Sequence, residues 1–163
     1  MMAPSRSWIA PITIAALAAL LVGIMGATIT NLGPWYEGLK QPAWAPPRAA
    51  FGVIWTAIFA LTALAAVAAW RRAPDQHAGD WLIGLFALNG FLNLLWSFLF
   101  FRMERPDWAG IEVVLLWLSI LGLVITCGRR SRAAGALLLP YLAWVTIAAV
   151  LNWQVMALNG PFG

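Results

Sequence analysis

The stretch GPWYEGLKQPAWAPP, residues 33–47, lies between two long apolar runs and is central to the fold. It holds two tryptophans, one tyrosine and four prolines within fifteen residues. A plain linker would be rich in glycine and serine and therefore flexible. Because this stretch is stiff and aromatic instead, we expect a structured loop at one end of a helix bundle.

The composition on both sides of this loop is that of an integral membrane protein. The 163-residue chain is 63% apolar and only 10% charged, whereas soluble domains are about 25% charged. A span needs roughly 20 apolar residues to cross about 30 Å of hydrocarbon. The runs of this length are residues 8–30, 48–70, 80–101, 107–127 and 134–157. We therefore predict one all-α membrane domain, residues 1–163, in which five transmembrane helices form a bundle and loop 31–47 joins the first two.

The charged residues stand at the ends of these runs, which is typical of membrane helices rather than of nucleic-acid-binding proteins. On the side of the N-terminus the basic residues are Arg6, Arg71, Arg72, Arg129, Arg130 and Arg132. On the opposite side, acidic residues accompany the basic ones, namely Lys40, Arg48, Arg102 and Arg105 with Glu37, Glu104 and Asp107. The positive-inside rule then predicts a cytoplasmic N-terminus. The first run is too long for the core of a typical signal peptide, so we expect it to be a helix.

Several classes of chemistry lack the residues they need. Cys127 is the only cysteine, so no intrachain disulfide is predicted. The one histidine, His77, lies in the polar connector 71–80, where we expect it to be solvated, and no residues have metal-ligand spacing. Glu112 is the one carboxylate well inside a run, and we predict an interfacial position for it. This pattern argues against a proton-coupled pump, a histidine-ligated haem and acid–base catalysis.

A stripe of small residues follows the first helix at four-residue spacing: Ala15, Ala19, Gly23 and Ala27. Small residues let helix backbones approach closely inside lipid. The stripe packs either within the molecule or against a second copy, and packing within the molecule is the favoured interpretation.

Eight of the eleven tryptophans fall into two groups by their position in the runs. Those at the ends of runs suit an aromatic belt at the membrane interface, namely Trp8, Trp70, Trp81 and Trp108. Others lie well inside a run, namely Trp55, Trp96, Trp117 and Trp144. An indole N–H in that position needs a hydrogen-bond partner or a cavity.

Two helix faces carry polar and aromatic residues at helical spacing. Helix three presents Asn89, Asn93, Trp96 and Phe100, and helix five presents Tyr141, Trp144, Ala148 and Asn152. Amides in mid-membrane are costly unless they form hydrogen bonds. They either bond neighbouring helices or line a cavity. In the second case these faces suit a flat apolar ligand with a few polar edges.

Four stretches in order along the chain resemble one family. They are PWYEGLKQPAWAPP (34–47), VIWT (53–56), LNGFLNLLWSFLFF (88–101) and PYLAWVTIAAVLNW (140–153). In these motifs, their order and the chain length, the sequence resembles the tryptophan-rich sensory protein/translocator protein family (TspO/MBR, also called the peripheral benzodiazepine receptor family).

The resemblance implies a five-helix bundle, often a homodimer, with a ligand pocket beneath the first loop. It implies binding of porphyrins such as protoporphyrin IX and of isoquinoline-carboxamide and benzodiazepine ligands. Some bacterial members promote oxidative degradation of protoporphyrin that needs light and oxygen but no covalently bound cofactor. The tryptophans linked to that activity match Trp55 and Trp144. The ligand-contacting amide of helix three matches Asn89 or Asn93.

This resemblance gives the loop an interpretation as a lid over the pocket. Trp35, Tyr36 and Trp44 then add apolar cover, and Lys40 and Arg48 meet the carboxylates of a porphyrin. The alternative is a rigid cap that only seals the helix ends. Alternative functions for the whole protein are a tetrapyrrole transporter and a ligand-dependent stress sensor whose state is read by a partner.

One departure from the animal members concerns cholesterol. Their recognition pattern has a basic residue within about five positions after the helix-five tyrosine. Here Tyr141 is followed by LAWVT, which holds no basic residue. The sequence therefore speaks against cholesterol as a partner.

Overall fold

The computed structural model describes residues 8–163, and Arg6 lies outside them. The helices are α1 (Ile9–Ile29), α2 (Pro34–Gly38), α3 (Arg48–Trp70), α4 (Gln76–Ser97), α5 (Pro106–Arg130) and α6 (Arg132–Asn159), with a π-helical turn (Phe98–Arg102) after α4. The five long ones have the length and composition to cross a membrane. This confirms the predicted all-α bundle. The short α2 lies in the first loop, so predicted helices two to five are α3 to α6.

Helix α4 begins at Gln76, before the predicted start at residue 80. The reason is an N-cap: the Asp75 carboxylate accepts a hydrogen bond from the Ala78 N–H at 2.7 Å. The helix therefore extends into a polar segment that hydropathy alone assigns to the connector. His77 lies in its first turn and is exposed.

Contacts at one end of the bundle join the start of α1 and α4 to the ends of α3 and α5. The Arg71 guanidinium lies 3.8 Å from the centroid of the Trp8 ring. Arg130, in the last turn of α5, donates a hydrogen bond to the Ala78 carbonyl at 2.8 Å. Consecutive long helices therefore run in opposite directions.

The opposite end carries the first loop and the end of α6. There Arg102 donates a hydrogen bond to the Thr28 carbonyl at 2.6 Å, near the end of α1. The Asn159 side chain bonds both the N–H and the carbonyl of Lys40, at 2.7 and 2.9 Å. The loop is thus held against the last turn of α6.

The most tightly packed region is the α5–α6 pair. A Cβ added at Gly135 would lie 2.8 Å from Gly128 Cα, so only glycine permits this approach. Both helices bury an extended face against the rest of the bundle. Helix α1, in contrast, has no buried residue.

The small-residue stripe of α1 faces α3. A Cβ at Gly23 would meet the Phe59 ring at 3.5 Å. Ala19 and Ala27 line the space between the same two helices. Gly23 thus contacts α3 within the molecule, whereas Ala19 and Ala27 border open space, so packing of the whole stripe stays a prediction.

Candidate functional site

A cavity of about 870 Å³ lies between α1 and α3, and we call it the α1–α3 groove. Its volume is within the range of small-molecule sites, roughly 300–1,000 Å³. Among the residues of its wall are Gly23, Ala27, Gly52, Trp55, Phe59 and Ser97. Small residues of both helices make the space, and the Trp55 and Phe59 rings form part of its surface.

The hydroxyl groups in this wall already donate hydrogen bonds to the backbone. Thr30, Thr56 and Ser97 each donate a hydrogen bond to the carbonyl four residues earlier in the chain, at 2.8, 2.8 and 3.3 Å. With these donors satisfied, the groove presents mainly apolar and aromatic surface to a ligand.

A smaller cavity of about 310 Å³ lies under the first loop, and we call it the loop chamber. Tyr36, Gln41 and Leu151 line it, together with Arg48 and Phe51. Arg48 and Phe51 also line the α1–α3 groove. The two spaces are therefore neighbours that share one cation and one aromatic ring.

An aromatic cluster connects the groove to the core. The Trp55 ring stacks on Phe59 at 5.4 Å between centroids and meets Tyr141 edge-on at 6.0 Å. Trp144 is buried and meets Phe51 edge-on at 5.5 Å. Its indole N–H has no hydrogen-bond partner. Trp55 thus stands at the cavity surface, whereas Trp144 lies behind Phe51.

The amides of α4 form a closed hydrogen-bond network with α5 and α6. Asn93 donates to the Tyr141 hydroxyl at 3.1 Å, and that hydroxyl donates to Asn89 Oδ1 at 3.2 Å. Asn89 in turn donates to the Ser119 hydroxyl at 2.9 Å. The amides therefore bond neighbouring helices, the first alternative from the sequence. Contact of either amide with a ligand stays a prediction.

A second polar connection lies nearer the loop. The Trp96 indole donates to Asn152 Oδ1 at 3.1 Å, and Asn152 donates to the Pro106 carbonyl at 2.8 Å. The Trp96 ring also stacks on Phe100 at 5.2 Å. This end of the bundle is thus closed by aromatic packing and by a satisfied amide.

The first loop packs its aromatic residues onto this end. Trp35 meets Phe100 edge-on at 6.0 Å, and Tyr36 meets Phe101 at 5.6 Å. Trp44 donates a hydrogen bond to Gln154 of α6 at 2.9 Å. The loop therefore packs against this end of the bundle through side chains near both of its own ends.

Tyr36 also contacts the charged pair at the start of α3. The Arg48 guanidinium lies 5.6 Å from its ring centroid and donates to the Glu37 carboxylate at 3.0 Å. Burial raises the pKa of Tyr36 above its ordinary value, and the charge of Arg48 opposes part of that rise. The phenol is therefore neutral at physiological pH.

Comparison with known proteins gives the family. The sequence model of the TspO/MBR family matches residues 13–158. The chain belongs to the TspO/MBR family. It is 38% identical over 146 residues to the tryptophan-rich protein TspO of Chlorobaculum tepidum, covering 86% of this chain and 90% of that protein.

Two further relatives show the breadth of the TspO/MBR family. Protein CrtK of Rhodobacter capsulatus is 32% identical over 143 residues, covering 88% of this chain and 89% of CrtK. The translocator protein of Sus scrofa is 31% identical over 122 residues, covering 74% of this chain and 72% of its own length. Like the family, this chain is an integral multi-pass membrane protein.

The wall of the groove in this TspO/MBR protein differs from the predicted one. Among the predicted ligand-binding residues, Trp55 lines the α1–α3 groove and Tyr36 lines the loop chamber. The others line neither space: Trp35, Trp44, Asn89, Asn93, Trp96, Phe100, Tyr141, Trp144, Ala148 and Asn152. The physical reason is that hydrogen bonds inside the bundle occupy most polar groups of these two faces. Asn93 bonds Tyr141 and Trp96 bonds Asn152 across the bundle, while the Trp144 N–H stays without a partner.

Two further expectations concern Glu112 and Lys40. Glu112 is only 5% exposed, so it points into the bundle, and its interfacial depth stays a prediction. It shares the buried face of α5 with Ala109, Val113 and Leu116, and neither of its carboxylate oxygens has a hydrogen-bond partner. Lys40 lines neither cavity, which leaves Arg48 as the cation beside the groove.

Phe51 and Phe59 are wall residues that the sequence analysis missed. Each lies four positions from Trp55 in α3, so the three rings share one helix face. That spacing is the signal that finds them. Helical periodicity around Trp55 predicts this aromatic face, although it does not say that α1 lies opposite.

Proposed function

We propose that this TspO/MBR protein binds porphyrins of the protoporphyrin IX class, with the macrocycle in the α1–α3 groove. One observation carries the proposal: the groove is large, mainly apolar and has the Trp55 ring in its wall. A flat aromatic ligand gains both apolar burial and ring contacts from such a surface. The Trp55 and Phe59 rings stack on each other in that surface.

We further propose that the site promotes light-dependent oxidation of the bound porphyrin, with dioxygen as the oxidant. A bound porphyrin supplies light absorption and reactivity toward oxygen. The protein contributes a water-poor position and the electron-rich indole of Trp55. This indole donates an electron to the light-excited porphyrin, from which dioxygen takes it up, or traps an oxidised intermediate formed with dioxygen. Trp144 lies one ring further in, behind Phe51, which supports a second role in the same electron path.

The test uses purified protein in detergent. Quenching of tryptophan fluorescence by protoporphyrin IX measures binding, and absorbance after illumination measures product. We expect Trp55→Phe and Trp144→Phe to keep binding, because a ring remains, and to lose light-dependent product. Trp81→Phe is the control, since Trp81 is 63% exposed and lies near the start of α4, at the end of the bundle away from the first loop. Wild-type product yield in both mutants would defeat the assignment.

Tetrapyrrole passage is the second candidate, and the position of the groove favours it. The groove lies beside α1, which buries no residue, so its ligand sits at the edge of the bundle rather than in its centre. A flux assay in proteoliposomes, with and without protein, separates passage from binding. Equal flux in both preparations excludes transport.

We also propose that the N-terminus is cytoplasmic. The described basic residues at the end of the bundle where α1 begins are Arg71, Arg72, Arg129, Arg130 and Arg132. Under the positive-inside rule this end faces the cytoplasm. In a Cys127→Ser background, His77→Cys should react with an impermeant maleimide only in inverted vesicles. Ala43→Cys should react only in right-side-out vesicles, and the reverse pattern would refute this orientation.

A further inference from the structure

We propose that the loop chamber is a carboxylate subsite, in which Arg48 and Gln41 bind an acidic edge of the ligand held in the α1–α3 groove. This inference rests on the proposed porphyrin function and adds the place and the residues that recognise the free carboxylates of the macrocycle. The loop is then a recognition element for the ligand as well as its cover.

The loop chamber lies directly beside the α1–α3 groove. Arg48 and Phe51 line both the groove and the chamber. A macrocycle in the groove therefore has its edge beside the Phe51 ring, and a short acidic arm that passes this ring meets Arg48. The chamber, at about 310 Å³, holds an arm of this kind but offers much less space than the groove.

Gln41 supplies a hydrogen-bond donor. Its Nε2 atom is buried and has no hydrogen-bond partner, and the residue lines the chamber. A buried amide donor without an acceptor is costly. A rotation of the Gln41 side chain would turn this donor into the chamber, where a carboxylate oxygen gives it the missing acceptor and an apolar ligand does not.

Arg48 supplies the charge. Its guanidinium has a planar fork of donors suited to a carboxylate, and one of these donors bonds Glu37 at 3.0 Å. The side chains of this pair are 52% and 56% exposed, so their mutual attraction contributes little to stability. A ligand carboxylate can therefore take the place of Glu37 at small cost.

The surroundings favour this exchange. Glu37 is the one carboxylate among the residues that line the chamber. Tyr36 places its ring beside the guanidinium, and its raised pKa keeps the phenol neutral. No second anion competes for Arg48 from within the chamber lining once Glu37 has moved away.

The experiment compares two forms of one macrocycle. Protoporphyrin IX and its dimethyl ester have the same ring system, but the ester has no free carboxylate. We expect the wild-type full-length protein in detergent to bind the diacid about five-fold more tightly, the upper range for one charged contact at a half-exposed site. Fluorescence quenching gives both dissociation constants.

Single substitutions test which residues cause the preference for the diacid over the ester. Arg48→Met should bring the two affinities to within about two-fold of each other. The ratio of diacid to ester affinity is the readout, because Arg48 also lines the groove and its loss can alter the binding of both forms. Gln41→Leu should remove part of the preference. Glu37→Gln should strengthen diacid binding alone, because it removes the competing carboxylate. Lys40→Met is the matched control: the lysine lies on the same loop but lines neither cavity, so the preference should persist.

The possible failures are distinguishable. Equal affinity of wild type for diacid and ester would overturn the subsite while leaving porphyrin binding in the groove intact. Binding of neither form would overturn the proposed function itself. If Lys40→Met removes the preference as fully as Arg48→Met, the effect is general surface charge, and the assignment to Arg48 and Gln41 is wrong. The wild-type comparison stands even where a variant fails to fold.

Discussion

The α5–α6 pair and the α1–α3 groove are each built from two long apolar helices, yet they pack in opposite ways. Only Ser131 separates α5 from α6, and Gly128 and Gly135 bring the two backbones together. Between α1 and α3 the small residues instead border a cavity. Small residues alone therefore do not decide whether two membrane helices close on each other.

Polar ties between the helices account for part of the difference. Trp117 of α5 donates to the Thr146 hydroxyl at 2.8 Å, and Trp153 of α6 donates to the Gly110 carbonyl at 3.1 Å. Hydrogen bonds of this kind stabilise helix pairs in lipid. In the groove, by contrast, the wall hydroxyls bond carbonyls of the preceding turn and leave the surface free for a ligand.

The largest expected effect comes from breaking the tight pair. In Gly135→Ala the new Cβ would lie 2.8 Å from Gly128 Cα and 3.1 Å from the Val124 carbonyl oxygen, so backbone must move. We expect the free energy of unfolding to fall by about 2 kcal/mol, as for other overpacked sites. Unfolding in detergent measures it. Gly122→Ala in α5 is the control, since nothing lies within 4 Å of its added Cβ, and equal losses in both variants would contradict the close-packing argument.

The next largest effect is expected from the hydrogen bonds that Asn152 of α6 makes inside the bundle. Asn152→Leu removes the acceptor of the Trp96 indole and the donor to the Pro106 carbonyl. We expect a loss of roughly 1–2 kcal/mol in the free energy of unfolding, because buried polar groups lose their partners. Asn31→Leu, which removes only an exposed bond to the Gly33 N–H, should change stability far less. A stable Asn152→Leu variant would show that this amide is not needed for packing.

A smaller effect is expected where the first loop is bonded to the end of α6. Asn159→Ala removes both bonds to the Lys40 backbone. The loop should then open more often, and trypsin should cleave after Lys40 about five-fold faster, while the bundle keeps its unfolding free energy. Gln154→Ala removes one exposed bond, to Trp44, and should have a weaker effect. Unchanged cleavage in Asn159→Ala would mean that other contacts hold the loop.

The smallest effect on stability is expected in the groove. Gly52 lines it, and nothing lies within 4 Å of a Cβ added there. Gly52→Leu should therefore alter the unfolding free energy by no more than about 0.5 kcal/mol, yet weaken porphyrin binding about ten-fold by filling the space. Gly84→Leu is the control, because its site on α4 is equally open and lies outside the groove. Unweakened binding in Gly52→Leu would place the ligand elsewhere.

The proline and aromatic content of the first loop predicted its structure, and hydropathy was sufficient to predict the five spans. It missed the first turn of α4 because that turn is polar, and its helical state depends on the cap from Asp75. For the site, the internal position of Trp55 left a hydrogen-bond partner or a cavity as alternatives, and the structure places this ring in a cavity wall. The faces with Asn89, Asn93 and Asn152 were recognised as special, but their spacing could not distinguish a ligand from a neighbouring helix as the hydrogen-bond partner.

The amino-acid sequence by itself determined the membrane class, the number of spans and the family, because apolar length and ordered motifs are local properties of the chain. Only the tertiary structure decided where the open volume lies. The contacts Asn93–Tyr141 and Trp96–Asn152 join residues far apart in the chain, and they close the centre of the bundle. The cavity is left between α1 and α3, since the space between two helices depends on how both pack against the others.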